Sequence, residues 1–355
     1  MKQELFNTEN TEAAEKSSAC ICSAISAVSA LRFFLPFLAA GALFAGCQPC
    51  PDEVIDIDQI VAAHNANAAQ IPRLWARAEM DVTVKPPDAP EMTWRSGSPT
   101  CLLLYWRGGN PDGPHDFVLV GRETAAVELF RMGSSTDQGL YYFWYRFGDR
   151  GGAWFGRLAL AGAPGVSLLP FDPTELLGVL GITPLPANPG RLPAAVLTMN
   201  DRPGECSYVV GVVDAQPVSG RVLVKREIIL PWSNDEPPLP KRVNLLDAAG
   251  RRVMTATLSD YRPIDTGEDQ GDADDAARRE QPPVMPTSID IVWRDVPGQP
   301  SRLIRRIHLK LSKMTAEDNE LEADLATAFR PPPGVRPVPV DKGVGEGPTS
   351  KRGEP

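Results

Sequence analysis

One side chain stands where covalent chemistry is written into its surroundings. Cys47 closes the only strongly apolar run of the chain, in the order Leu43-Phe44-Ala45-Gly46-Cys47-Gln48. Arg32 precedes the apolar stretch 33–45, and the small residues Ala45 and Gly46 leave room for a signal peptidase. This order is the pattern of a bacterial lipoprotein signal, in which residues 1–46 are removed and Cys47 receives diacylglycerol and usually a third acyl chain. Two or three such chains, at about 0.8 kcal/mol per buried CH₂, anchor a protein stably. Phe44 stands where Leu is commoner, and Pro36 interrupts the run. The rival readings are a transmembrane anchor and an ordinary cleaved signal. A spanning helix needs about 20 apolar residues, and residues 19–45 reach that length only with Ser23, Ser26, Ser29 and Arg32 counted in.

Other reactive residue types do not assemble into a motif. The three histidines, His64, His115 and His308, lie at no metal-ligand spacing with one another or with a cysteine. His64 has apolar neighbours at helical spacing and reads as a packed histidine. No Gly-x-Ser-x-Gly elbow is present, and Gly343-Val344-Gly345-Glu346-Gly347 neither follows a strand nor opens a helix, as a phosphate loop must. Asp172 and Glu175 suit a helix start and Asp260 a turn, so nothing pairs carboxylates across a cleft. An enzyme, a metal site and a cofactor are therefore not expected. Of the cysteines, Cys20 and Cys22 fall in the signal, leaving Cys50, Cys101 and Cys206 beyond Cys47. Cys101 with Cys206 is one disulfide an exported chain could form; the alternative is that both are buried thiols.

Beyond residue 46 the chain holds 33 Lys and Arg against 41 Asp and Glu, a net charge of about −8. An acidic chain without a basic stripe argues against nucleic acid and offers anionic headgroups no attraction, so the acyl anchor alone would hold the membrane. The 36 prolines point to many short elements.

Those elements follow from periodicity. Residues 47–55 read as a lipidated linker. A helix follows, capped by Asp56 or Asp58, with Ile57, Ile60, Val61, His64, Ala68 and Ile71 at helical spacing and Pro72 as its stop. The period then changes to two: Leu74, Ala76, Ala78, Met80, Val82 and Val84 share one face of a strand, and Trp75, Arg77, Glu79, Asp81 and Thr83 the other. Strands are expected at 100–106, at 116–120 and 125–131 as a hairpin about Gly121-Arg122-Glu123, at 140–147, and at 154–160. Residues 172–181 read as a short helix that is apolar nearly all round, which must lie against something greasy. Strands then recur at 196–199, 207–213, 221–230, 242–246, 251–261, 287–294 and 302–312. Asp247-Ala248-Ala249-Gly250 serves as a hairpin turn. Residues 265–282 read as an acidic disordered loop and 333–355 as a disordered tail. The fold class is thus mainly β (α+β): one large curved antiparallel sheet over residues 56–332, forming an incomplete barrel, with the N-terminal helix and the short mid-chain helix covering its concave face.

The order of these features resembles the LolA/LolB-type lipoprotein-carrier superfamily. The helix with Ile60-Val61-Ala62-Ala63-His64-Asn65-Ala66-Asn67-Ala68 runs into a long first strand. A greasy short helix, 176–180, lies mid-chain. Lys225-Arg226-Glu227, the 247–250 turn, Leu258-Ser259-Asp260-Tyr261, Met285-Pro286 and Ala328-Phe329-Arg330-Pro331 follow in the family's order. The resemblance implies a half-barrel that holds acyl chains by apolar burial, without covalent chemistry. Met80, Val82, Val84, Leu102, Leu104, Phe143 and Tyr145 would line the cavity, with Leu177 and Leu180 on its lid. It also implies a hydrophobic acyl-chain ligand or a lipoprotein as partner. The anchor makes the chain resemble the membrane-attached acceptor more than the soluble carrier, and Gln48 after the lipid site suggests the outer rather than the inner membrane. The alternative is a structural or sensory envelope lipoprotein on the same scaffold. The sequence leaves the oligomeric state unknown.

Overall fold

A computed structural model describes residues 50–85, 90–96, 99–107, 115–124, 127–147, 150–160, 174–202, 205–215, 220–232, 238–265, 282–295, 304–316 and 338–341. The signal, Cys47, the helix-start residues Asp172 and Pro173, the acidic loop, Ala328-Phe329-Arg330-Pro331 and Gly343-Val344-Gly345-Glu346-Gly347 lie outside the described residues.

Helix α1 spans Ile57–Ala69. Asp56 is its extended N-cap, and the Gln59 side-chain oxygen accepts from the Asp56 backbone N–H at 3.2 Å, which satisfies one of the first donors. The chain then forms β1 (Arg73–Val84), β2 (Met92–Arg95), β3 (Cys101–Trp106), β4 (Asp116–Thr124), β5 (Val127–Ser135), β6 (Leu140–Phe147) and β7 (Arg150–Arg157). A 3₁₀ turn (Leu158–Leu160) and helix α2 (Thr174–Leu180) follow, then β8 (Ala194–Asn200), β9 (Ser207–Ala215), β10 (Val222–Pro231), β11 (Arg242–Leu246), β12 (Arg252–Pro263), β13 (Val284–Trp293), β14 (Ile304–Thr315) and β15 (Val338–Pro339).

All of these strands belong to one sheet, ordered β15-β7-β6-β5-β4-β3-β1-β14-β13-β12-β11-β10-β9-β8, with β2 on β1. Two antiparallel meanders therefore meet at β1. The first, β3 to β7, walks outward on one side; the second, β8 to β14, starts at the far edge and walks back until β14 pairs with β1. The edges β15 and β8 do not pair with each other. The architecture is a mainly β, open sheet with two helices, the incomplete barrel that the resemblance implies.

One face of the sheet carries a single apolar cluster to which both helices belong, with Ile60 and Val61 from α1 and Leu176, Leu177, Val179 and Leu180 from α2. The crossover between the meanders explains α2. The chain leaves β7 near one edge and re-enters at β8 on the other, and α2 packs against the inner face by β13 on the way. A helix of this length has no stability in water by itself. It exists because its all-round apolar surface is buried against the sheet.

Several elements depart from the sequence expectation. Gly121, Arg122 and Glu123 lie inside β4, not at a turn. A Cβ on Gly121 would overlap the methyl end of Met80, so the glycine serves close packing on the inner face rather than a turn. Strand β2 escaped notice because it is short. The tail expectation fails at residues 338–341: β15 pairs in parallel with β7, Val340 is buried, and the Arg157 side chain binds the Asp341 carboxylate at 2.6 Å. The 247–250 turn is as expected. Gly250 takes φ +74°, and the Asp247 carboxylate accepts from the backbone N–H of Ala249 and of Arg251, both at 2.9 Å. Asp260 interrupts β12 at φ +56°, and its carbonyl accepts from Thr287 Oγ1 at 2.7 Å. That irregularity turns Tyr261 toward the Pro240 carbonyl, 2.6 Å from its hydroxyl.

Gly133 sets a limit on the first meander. A Cβ there would overlap the carbonyl oxygen of Phe117 on β4 and crowd Val118 and the Tyr142 hydroxyl. Because backbone cannot yield as a side-chain tip does, Gly133→Ala is expected to destabilise the protein by about 1–3 kcal/mol. Urea unfolding checks this: the midpoint falls while the slope stays that of the parent.

Candidate functional site

The inner face of the sheet is the candidate site. Strand β1 sets its parity. Met80, Val82 and Val84 point inward, as their alternation predicts, and their partners on β14 include Leu309 and Ile307. Phe143 and Tyr145 on β6 also point inward, opposite Met132 and Phe130 on β5. Leu177 and Leu180 enter the same cluster from α2.

Leu102 and Leu104 correct the sequence reading. Strand β3 pairs with β1 so that Leu104 faces Trp75 and Leu102 faces Arg77, while Cys101, Leu103 and Tyr105 face Ala78, Ala76 and Leu74. Directly paired residues share a face, so Leu102 and Leu104 lie on the outer side. There they join Trp75, Val118 and Val120 in a second apolar cluster against Tyr142. The segment 100–106 is apolar on both faces, so its alternation carried no information. The expected disulfide is also corrected. Cys206 pairs with Cys50, and Cys101 is a free, buried thiol whose pKa is pushed up chiefly by burial. Cys101 lies on β3 and Cys206 at the start of β9, with β1 and β14 to β10 between them. Sequence spacing holds no record of that separation.

The inner face has two regions. Toward β7, Phe130, Phe143, Tyr145 and Trp154 form an aromatic group. Phe143 and Trp154 stack with centroids 5.6 Å apart, and Tyr145 and Trp154 lie 5.9 Å apart. Gly152 makes room for it, since a Cβ there would overlap the Trp154 indole. On the other side lies the α2 region, held by polar bonds from α1. Asn65 binds both backbone groups of Leu185: its Nδ2 donates to the carbonyl at 2.9 Å and its Oδ1 accepts from the N–H at 2.7 Å. Asn67 does the same to Val284, at 2.9 and 2.8 Å. Each amide thus mimics one step of a strand partner. His64 Nε2 donates to the Thr183 carbonyl at 3.0 Å. The segment after α2 and the start of β13 are consequently fastened to one helix. The other end of α1 is capped by Arg107, whose guanidinium donates to the Ala68 carbonyl.

Arg226 on β10 runs beneath α2, where a Cβ on Gly178 would overlap its guanidinium. Gly178 therefore permits a cation to lie under a greasy helix. Sequence reasoning singled out Arg226 as part of a motif but gave it no position, and it missed Asn65 and Asn67 as fasteners. The available signal was three polar side chains, His64, Asn65 and Asn67, within one turn of a helix that is otherwise small or apolar from Ile60 to Ala69.

The lining is occluded. Met80, Val82, Val84, Phe143, Leu177 and Leu180 are each 0–2% exposed, and Tyr145 is 9%. In this conformation these side chains are closed off from solvent, with α2 packed against the same apolar face. Among the described residues no group of three His, Cys, Asp or Glu side chains is placed to hold a metal, and no helix is long and apolar enough to cross a membrane.

No protein-family model and no curated protein sequence matches the chain. Solved structures similar to it include three described as follows. A domain described as an outer membrane lipoprotein-sorting protein, from Vibrio parahaemolyticus, is 11% identical, with a TM-score of 0.41 over 76% of this chain and 96% of that one. A LolA superfamily protein from Nitrosomonas europaea is 13% identical, with a TM-score of 0.37 over 73% and 94%. A DUF1329 family protein from Desulfovibrio piger is 10% identical, with a TM-score of 0.36 over 75% and 94%. Each is a distant likeness.

His64 gives the fastening a pH dependence. Burial lowers its pKa below the ordinary value, and the nearby Arg226 guanidinium pushes in the same direction. A histidine freed by opening takes up a proton more readily than the fastened one. Opening is therefore favoured as pH falls below about 6.5, with the opening constant rising at most about tenfold per pH unit. Hydrogen exchange of the α2 amides, corrected for intrinsic rates, is expected to show this rise between pH 7.5 and pH 5.5. His64→Gln is expected to abolish it.

Proposed function

We propose that this protein is a lipid-anchored envelope protein whose inner sheet face takes up acyl chains, of a lipid or of a lipoprotein, in exchange for α2. The observation that carries this reading is a helix with no stability of its own, buried on a continuous apolar face, with the segment that follows it fastened to α1 by side-chain to backbone bonds. Such a helix is built to leave as a unit.

The magnitudes support exchange rather than permanent closure. Docking α2 buries four aliphatic side chains, worth at most about 6–12 kcal/mol. An acyl chain of about 14 methylenes offers about 11 kcal/mol at 0.8 kcal/mol per CH₂. Helix and ligand compete nearly evenly, so a bound chain would be held without being trapped. Release is what a carrier or acceptor needs. The Cys50–Cys206 disulfide supports an oxidising compartment such as the periplasm. Cys47 would supply the anchor and Gln48 the preference for the outer membrane.

The occluded lining favours a second reading, an envelope interaction protein whose interior is permanently filled. Uptake of a fluorescent fatty acyl probe separates the two. On the first reading residues 48–355, exported without Cys47, bind the probe saturably. Phe143→Asp or Leu177→Asp lowers the affinity at least about tenfold, the scale of burying one unpaired carboxylate. Val292→Asp, on an exposed outer position of β13, leaves it unchanged. Circular dichroism confirms that each variant is folded. An absence of uptake by the parent at any pH between 5.5 and 7.5 leaves the second reading.

A further inference from the structure

The residues after the lipid site are not a free linker. Cys50 is bonded to Cys206, the Trp232 indole N–H donates to the Glu53 carbonyl at 2.9 Å, and the Ile55 N–H donates to the Tyr208 hydroxyl at 2.9 Å. These ties converge on one end of the sheet. Cys206 immediately precedes β9, Tyr208 is its second residue, and Trp232 immediately follows β10. The two strands are in register there, Pro231 opposite Ser207, and the Tyr208 and Trp232 rings lie 5.4 Å apart. Strand β8 finishes at the same end, with Asn200 opposite Ser207 and the half-exposed Met199 opposite Tyr208.

We propose that this staple is a mooring: with Cys47 acylated, it holds the sheet end formed by the close of β8, the start of β9 and the close of β10 against the bilayer. The inference rests on the anchored reading above. Its reasoning is covalent geometry. Cys50 lies three residue steps from Cys47, past Gln48 and Pro49, and an extended chain spans no more than about 3.6 Å per step, so the Cα of the stapled Cys50 sits within about 11 Å of that of the acylated residue. Without the disulfide the first tie would be at Glu53, which doubles the free length. The partner is a lipid surface, met by one defined end of the sheet rather than by a protein swinging on a tether. The short tether is what selects that end.

The test uses the full chain, matured and acylated in a bacterial host, in vesicles of phosphatidylethanolamine and phosphatidylglycerol containing a headgroup-photoreactive lipid. Crosslinked peptides are mapped by mass spectrometry, which also reads the acylation of Cys47. The expected result is labelling concentrated in residues 199–202, 205–206, 231–232 and 238–242. A six-residue Gly-Ser insertion between Gln48 and Pro49 leaves the disulfide and the fold intact but triples the tether. Labelling of that end should then fall about fivefold, as tether length to the power −3/2, and spread over other peptides. The Cys50→Ser, Cys206→Ser double variant should fall about threefold, by the same scaling. Labelling spread evenly in the acylated parent, or unchanged by the insertion, overturns the mooring and leaves the anchored reading standing. An unacylated Cys47 in the mature product overturns both.

Discussion

The pairing of β1 with β14 is the constraint on which the rest of the structure depends. Strand β1 pairs with both meanders, with β3 on one side and β14 on the other, so its alternation defines inner and outer for both. Leu74, Ala76, Ala78, Met80, Val82 and Val84 face inward, and register transmits that choice from strand to strand. A one-residue slip at this junction would turn one half of the apolar face outward against the other. The cost would be the burial of an entire half of the core.

From that junction follows the position of the candidate lid. The second meander begins at the far edge and returns to β1, so the chain must cross from one edge of the sheet to the other between β7 and β8. The crossover carries α2, whose apolar surface all round has nowhere to go but the inner face. The segment that follows the helix is fixed by α1, through the paired amide bonds of Asn65 to Leu185 and the His64 bond to Thr183, while Asn67 fixes the start of β13 beside it. Apolar burial supplies the attraction and these directional bonds supply the position. An apolar ligand can replace the first without remaking the second, which is the physical basis for reading the interior as an exchange site.

The N-terminal segment extends the same economy to the outside of the molecule. A disulfide, an indole N–H and a tyrosine hydroxyl fasten six residues to the end of β9 and β10. The helix that fastens α2 thus starts from a point that is itself fixed to the sheet.

Sequence by itself determined the elements whose pattern carries period information. Strand β1 has clean alternation, and its inward residues were read without error. Helix α1 was legible from its spacing, its Asp56 start and Pro72, α2 from its greasy surface and Gly181, and the 247–250 turn from Asp and Gly chemistry. The order of these elements carried the family resemblance, and with it the open sheet. Tertiary structure alone decided what depends on residues distant in the chain. In the segment 101–106 apolar residues fill both faces, so only pairing with β1 could send Leu103 inward and Leu102 and Leu104 outward. The strand order sets Cys101 many strands from Cys206, and the segment ahead of α1 brings Cys50 to Cys206 instead. Residues 338–341 look like tail in sequence and become ordered by the free edge of β7. Asn65, Asn67 and Arg226 gain their meaning from the backbone groups and the helix they meet. Local pattern reports which side of an element is apolar; it holds no information about which backbone another side chain will reach.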